Sequence, residues 1–341
     1  MNYSYHKWKE EICGKETKGL AILSFPAVQL LDVRVKELLN DGHLQAEAMQ
    51  KIVQRLPQQL AIVSMMDLSV EAEAFGCEVQ FSDHEVPAVT GQLVHSLEEA
   101  QKMSVPDLTA GRCQRYIQAI REVMKQADRA VFAGVIGPFS LAGRLMDVSE
   151  IMVECMMNPE YATVVLEKAT AFLKTYVRAY KDAGANGVLM AEPLAGLLPP
   201  SMVEQFSSCY IKEICEKLQD DDFSILYHNC GPSAAQSVEE ILKTTCHAYH
   251  FGNAVSMKDV LQQIPADIPV MGNIDPVACF CNGTSEDMQK AVAFLLEECR
   301  QYPNFVLSSG CDIPPTAKWE NIDQFFMSLD DDNQRRNEHV L

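Results

Sequence analysis

The chain has 341 residues, with 28 Lys or Arg against 47 Asp or Glu, which leaves a formal net charge of −19. A field of that sign repels phosphate backbones and anionic membranes, so neither nucleic acid nor a membrane surface is an expected partner. With 48% hydrophobic and 22% charged residues the chain can bury a large core, which excludes an intrinsically disordered protein.

Residues 1–18 are polar where a signal peptide needs an apolar core, and they read as an N-terminal extension. The apolar run around residues 134–143 is too short to span a bilayer, so a cytoplasmic protein is expected. Twelve cysteines are too sparse for a disulfide scaffold, and a reducing compartment keeps them as thiols.

Short apolar runs alternate with amphipathic stretches. The first two, residues 19–25 and 61–68, are followed by a small hairpin expected from residues 77–81 and 87–89, and then by a third run at 130–137. Between Asn158 and Gly184 the apolar positions fall at steps of three and four, with Pro159 in the first turn and Gly184 as a stop, which predicts a helix. Runs at 187–192, 224–229, 248–252 and 268–274 come next. Thr284, Ser285 and Asp287 then open a helix through Ala291, Phe294 and Leu295, and the last run is 304–309. Residues 330–341, rich in Asp, Asn and Arg, read as a flexible C-terminal tail.

Strands that are apolar throughout and separated by helices need cover on both faces, which implies a parallel sheet. Eight such units predict an α/β protein of one domain, a (β/α)8 TIM barrel over residues 19–329. Chemistry in such a barrel sits at the C-terminal strand ends. Here those ends read Ala191-Glu192-Pro193, Tyr227-His228-Asn229-Cys230-Gly231, His250-Phe251-Gly252-Asn253, Gly272-Asn273-Ile274-Asp275-Pro276 and Ser309-Gly310-Cys311-Asp312.

His228 and Cys230 are two apart on a strand end and so face the same way, while Cys311 arrives from the eighth strand. One imidazole and two thiolates suit zinc, and three protein ligands leave a position for substrate. Spacing alone leaves the alternative equally open: a coincidental His-x-Cys pair, with Cys311 a small buried hydrophobe.

The segment Tyr227–Gly231, followed by Met271-Gly272-Asn273-Ile274-Asp275-Pro276 and by Ser308-Ser309-Gly310-Cys311-Asp312-Ile313-Pro314-Pro315, resembles the uroporphyrinogen decarboxylase superfamily. Within it, the chain looks like the branch of zinc-dependent methylcobalamin:thiol methyltransferases, such as those acting on coenzyme M. Ile136-Gly137-Pro138-Phe139 and Asp182-Ala183-Gly184-Ala185 extend the likeness over nearly the whole chain. The His-x-Cys and distant Cys are also similar to cobalamin-independent methionine synthase. The resemblance implies zinc on His228, Cys230 and Cys311, and methyl transfer between methylcobalamin or a corrinoid protein and a small thiol.

The decarboxylase itself is a poorer match. It carries an arginine-containing segment after its first strand to hold carboxylates, where this chain reads Leu23-Ser24-Phe25-Pro26-Ala27-Val28-Gln29. A lyase acting on a tetrapyrrole, or a non-catalytic corrinoid-handling protein of the same fold, are the rival readings.

Glu192 is expected in the pocket, as a fourth zinc ligand or as an acceptor orienting His228, against a turn residue beside Pro193. Asp67, at the second strand end, matches a pocket-lining position of the superfamily and is expected to face substrate. Asn273 and Asp275 match a Gly-Asn-x-Asp-Pro segment of the superfamily, which places them at the corrinoid side, against a reading as turn formers. His250 is a further ligand candidate, against a buried, hydrogen-bonded imidazole. Cys279 and Cys281 read as loop or core thiols, and Asp220-Asp221-Asp222 as a solvated loop.

Overall fold

Strands buried on both faces have no polar side to turn to water, and here they assemble edge to edge in parallel. The computed structural model describes residues 3–338. Its main sheet contains β1 (Lys18–Gly19), β2 (Ala61–Val63), β3 (Ala130–Ile136), β4 (Gly187–Ala191), β5 (Ser224–Asn229), β6 (Ala248–Phe251), β7 (Val270–Ile274) and β8 (Phe305–Ser309). The spatial order is β1-β8-β7-β6-β5-β4-β3-β2, all parallel. In register, Ala191 lies beside His228 and His228 beside His250, so these strand ends share one rim.

Of the expected barrel the structure shows a curled eight-stranded parallel sheet whose ladder does not run all the way round. Between β1 and β2 there is a single bridge, Gly19 with Gln59, supported by Leu60 N–H on the Gly19 carbonyl at 2.8 Å. The Gln59 amide spans the rest of the seam, accepting from Ala21 N–H at 3.1 Å and donating to the Ala21 carbonyl at 2.7 Å. The first strand, expected over seven residues, pairs over only two for a related reason. Ile22 gives its N–H to Ser309 Oγ at 3.0 Å and its carbonyl to Ile313 N–H at 3.0 Å instead of to a neighbouring ladder.

The interior of the sheet is filled by Leu20, Ile22, Val63, Phe132, Leu189, Leu226, Met271 and Val306. Tyr3, Trp8 and Ile12 join that cluster, so the N-terminal extension, helical over Tyr5–Ile12, closes the floor. It is fastened by Tyr5 N–H on the Asp221 carbonyl at 2.7 Å, Ser4 Oγ on the Asp221 carboxylate at 2.8 Å and the Tyr5 ring stacked 3.7 Å from His247. The acidic loop at Asp220–Asp222 is exposed, as expected, and also serves as this anchor.

Outside the sheet, the helix Pro159–Asp182 buries Tyr161, Val165, Phe172, Tyr176 and Tyr180 on one stripe and ends just before Gly184, whose φ of 99° is the left-handed turn that glycine accepts. The helix Ser285–Cys299 begins at Thr284 with a reciprocal cap to Asp287. The small hairpin forms from Glu78–Gln80 and Ala88–Thr90.

The tail expected from residue 330 onward is instead the end of a helix, Trp319–Glu338. Composition misled because its polar groups are taken up: Asn333 accepts from Thr17 N–H at 3.1 Å and donates to the Thr17 carbonyl at 2.9 Å, and Asp332 pairs with Arg336 at 2.6 Å. Residues 1 and 2 of the extension and 339–341 of the tail lie outside the described residues. Among the described residues no helix is long and apolar enough to cross a membrane.

Candidate metal centre

His228 is the penultimate residue of β5, and Cys230 is the first residue beyond that strand. Alternation along the chain turns both side chains the same way. Cys311 follows β8 by two residues. The loops carrying the two cysteines meet over Gly252, where a Cβ would stand 2.5 Å from both Cα and Cβ of Cys230 and 3.0 Å from the Gly310 carbonyl oxygen. Only a glycine leaves room for that approach.

One donor atom from each of His228, Cys230 and Cys311 lies within 4.8 Å of the other two. His228 Nε2 and Cys311 Sγ are 3.6 Å apart. Donors on a tetrahedral zinc, at about 2.0–2.1 Å for nitrogen and about 2.3 Å for sulfur, are separated by roughly 3.5–3.8 Å, so the three residues fit the ion with little rearrangement. The donor set is soft to borderline and three-membered, the composition of a zinc site with a position left for substrate. Cys230 is held well below the usual thiol range by the hydrogen bond from Cys311, with His228 beside it, and Cys311 is held well above for the reciprocal reason. His228 is buried and the two cysteines are partly exposed.

His250 does not join this cluster as a ligand. Its Nδ1 lies 2.7 Å from His228 Nδ1, its Nε2 lies 2.8 Å from Ser308 Oγ, and Ser308 in turn donates to the Leu20 carbonyl. Burial, with His228 adjacent, pushes its pKa well down, which describes the buried, hydrogen-bonded imidazole of the alternative reading.

The expectation that Glu192 turns to His228 or to a metal is not met. Its carboxylate is buried and accepts from Phe139 N–H at 2.9 Å, Ser140 N–H at 2.6 Å and Ser207 Oγ at 3.3 Å, so it sits on the N-terminus of the helix Pro138–Met146. Burial raises its pKa to about 7 despite those donors.

Asp67 likewise does not present free oxygens to a substrate. It is paired with Arg112 and accepts from Tyr116 Oη and Ser69 Oγ, each at 2.6 Å. Arg112 is itself buried and also bonds Glu73 at 2.7 Å and Ser69 Oγ at 2.8 Å. Sequence reasoning missed Arg112, and no local signal marks it: a loop arginine before a helix shows no sign of being buried. Asn273 and Asp275, expected at the corrinoid side, shape the rim instead. Asn273 donates to the Gly252 and Val255 carbonyls at 2.9 and 2.8 Å, and Asp275 accepts from Val277 and Ala278 N–H and from Asn253. Cys279 and Cys281 are half-buried thiols in the turn Pro276–Asn282, as expected.

Two more carboxyls line this end of the sheet. Asp312 is pushed well above the usual carboxylate range by burial, with Asp67 adding to it, and its Oδ1 has no hydrogen-bond partner. Glu71 gives one oxygen to Ile136 N–H at 3.1 Å while Oε2 is buried without a partner, and burial raises its pKa to about 8.

Comparison with known proteins agrees with this architecture. The profile of the uroporphyrinogen decarboxylase (URO-D) family matches residues 25–331. A methylcobamide:CoM methyltransferase of Methanosarcina acetivorans is 26% identical over 75% of this chain and 75% of its own. A uroporphyrinogen decarboxylase of Hydrogenovibrio crunogenus is 24% identical over 86% of this chain and 84% of its own. Among solved structures, a methyltransferase from Methanosarcina mazei superposes with a TM-score of 0.84 at 19% identity, covering 96% of this chain and 99% of that one, which establishes a shared fold.

Proposed function

Because the chain belongs to the uroporphyrinogen decarboxylase (URO-D) family, we propose that it uses this scaffold, read as a (β/α)8 barrel, as a zinc-dependent methyltransferase acting between a corrinoid and a thiol. The observation that carries the reading is the convergence of His228, Cys230 and Cys311 within 4.8 Å at the C-terminal rim. The methyltransferase relatives support it. The decarboxylase relatives are of similar identity, but the segment Leu23–Gln29 offers no cation to hold substrate carboxylates.

His228, Cys230 and Cys311 would hold the zinc, which would supply positive charge to lower the pKa of a bound thiol from about 8.5 and keep its sulfur nucleophilic at neutral pH. Cys230 and Cys311 bring two negative charges that offset the dication, so the substrate sulfur keeps its electron density. His228 completes the set as a neutral donor whose ring is fixed by His250. Glu192 and Asp67 hold the walls, one by pinning the helix Pro138–Met146 and the other by locking Arg112. In the proposed reaction a carbon–sulfur bond would form as the methyl group leaves the corrinoid substrate, which would keep the electron pair of the broken bond, and the thiol proton would leave to solvent.

The test is loss of the methylcobalamin absorbance spectrum on adding the protein, zinc and a panel of thiols, with calorimetry in buffers of different ionisation enthalpy to detect proton release on thiol binding. Thiol-dependent bleaching with release of most of a proton is expected. No bleaching with any thiol, together with carbon dioxide release from uroporphyrinogen, would replace this reading with the lyase.

A further inference from the structure

We infer that His250 and Ser308 are positioning residues for His228: the chain Leu20–Ser308–His250–His228 fixes His228 as the Nδ1–H tautomer and leaves Nε2 unprotonated, with its lone pair facing Cys311. The inference rests on the reading of His228 as a metal ligand, and it concerns a part of the site that neither the fold nor the ligand trio specifies.

The polarity follows from the one member of the chain that has no choice. A backbone carbonyl only accepts, so Ser308 Oγ–H donates to the Leu20 oxygen. Ser308 Oγ, 2.8 Å from His250 Nε2, must then be the acceptor, which places a proton on that nitrogen. A neutral imidazole with Nε2–H has a lone pair at Nδ1, and His228 Nδ1 lies 2.7 Å away, so His228 is the donor there. His228 Nε2, 3.6 Å from Cys311 Sγ, is left without a proton and faces the cysteines.

The opposite polarity fails at the Ser308 end. It would require Ser308 to donate to His250, which leaves the buried Leu20 carbonyl unpaired, a costly arrangement. Charging both rings would place two imidazolium groups in contact in a site where His228 and His250 are 2% and 1% exposed. The arrangement depends on sheet register, since His228 and His250 are direct neighbours on β5 and β6 and Ser308 lies on β8, two strands on from β6. Outer partners of this kind orient a ligating histidine and set its basicity.

The experiment uses the full chain labelled with 15N-histidine and follows the ring nitrogens by NMR before and after zinc, with zinc affinity measured by competition against a chromophoric chelator. Before zinc, His228 is expected with its proton on Nδ1, and Ser308→Ala with a mixture of tautomers. Zinc affinity should fall about 3–10-fold in Ser308→Ala and about 10–100-fold in His250→Leu, the range expected for loss of an outer partner. His250→Asn, whose amide oxygen can take the place of Nδ1, should stay within about threefold of the unaltered protein. Circular dichroism identifies a variant that has lost its fold, in which case Ser308→Ala and the unaltered protein still decide. A proton on His228 Nε2, or unchanged zinc affinity in both Ser308→Ala and His250→Leu, overturns the inference. If the unaltered protein takes up no zinc, the proposed function fails, while the tautomer measurement still decides this point.

Discussion

At the floor of the sheet, Tyr3, Trp8 and Ile12 pack against Ala61, Phe132 and Leu226, and the polar groups among them form a short neutral chain, Tyr3 Oη to Ser224 Oγ at 2.6 Å and Ser224 Oγ to His247 Nδ1 at 2.9 Å. At the rim the same strands end in an imidazole pair, two thiols and the carboxyls of Asp67, Glu71, Glu192 and Asp312, most of them buried. The floor removes apolar surface from water and so stabilises the fold. The rim holds ionisable groups out of water, which costs stability unless every oxygen is paired. Asp67 is fully paired, whereas Glu71 and Asp312 each leave an oxygen without a partner. The two ends of one sheet thus divide stability and chemistry between them, and a lesion at one should leave the other intact.

The largest effect is expected from Cys311→Ala. Removing one of three ligands should weaken zinc binding by more than the roughly 100-fold upper range for losing an outer partner. Chelator competition measures it, and full zinc uptake at unchanged affinity would remove Cys311 from the centre. The urea midpoint of the metal-free protein should move little, because the cysteine sits at the partly exposed mouth.

Trp8→Ala tests the other end. Trp8 is 5% exposed and lies against Phe132 with ring centroids 5.2 Å apart. Truncating it should cost about 3–5 kcal/mol in urea unfolding. Zinc affinity, measured below the unfolding transition, should be unchanged. A coupled loss of both would show that floor and rim are one cooperative unit.

Glu71→Gln gives the smallest effect and the sharpest pH signature. The folded pKa of about 8 lies above the ordinary carboxyl value of 4.5, so the native state binds more protons than the unfolded chain between those values. The penalty for ionising the buried acid is therefore absent below about 4.5, grows as pH rises, and is complete above about 8. Wild type and variant should be equally stable near the acid end, with the variant ahead by on the order of 1–3 kcal/mol on the alkaline side. Denaturation at the two extremes measures this, and a gap independent of pH would mean that Glu71 is not held in its acid form.

Much of the architecture was legible from residue order alone. Seven of the eight apolar runs, the helix stop at Gly184 and the Thr284–Asp287 cap are local patterns, and each was observed close to its expected place. The three candidate ligands were legible for the same reason: strand alternation places His228 and Cys230 on one side, and parallel order places Cys311 on the same rim. What remained illegible depended on where distant backbone groups come to lie. The seam at Gln59, the two-residue extent of β1 and the helical turns after residue 330 are decided by partners some forty to three hundred residues away.

The same distinction separates the roles around the site. Sequence determined that acidic groups, an imidazole pair and thiols would gather at the strand ends, because covalent order and the period of a strand fix which side chains face the mouth. Only the tertiary structure decided their roles. Glu192 meets the free N–H groups of a helix that starts at Pro138, Asp67 meets an arginine 45 residues away, and His250 meets His228 across one strand pair with Ser308 behind it. A buried polar atom takes whichever partner the packing brings within hydrogen-bond reach, and that proximity exists only once the sheet has curled.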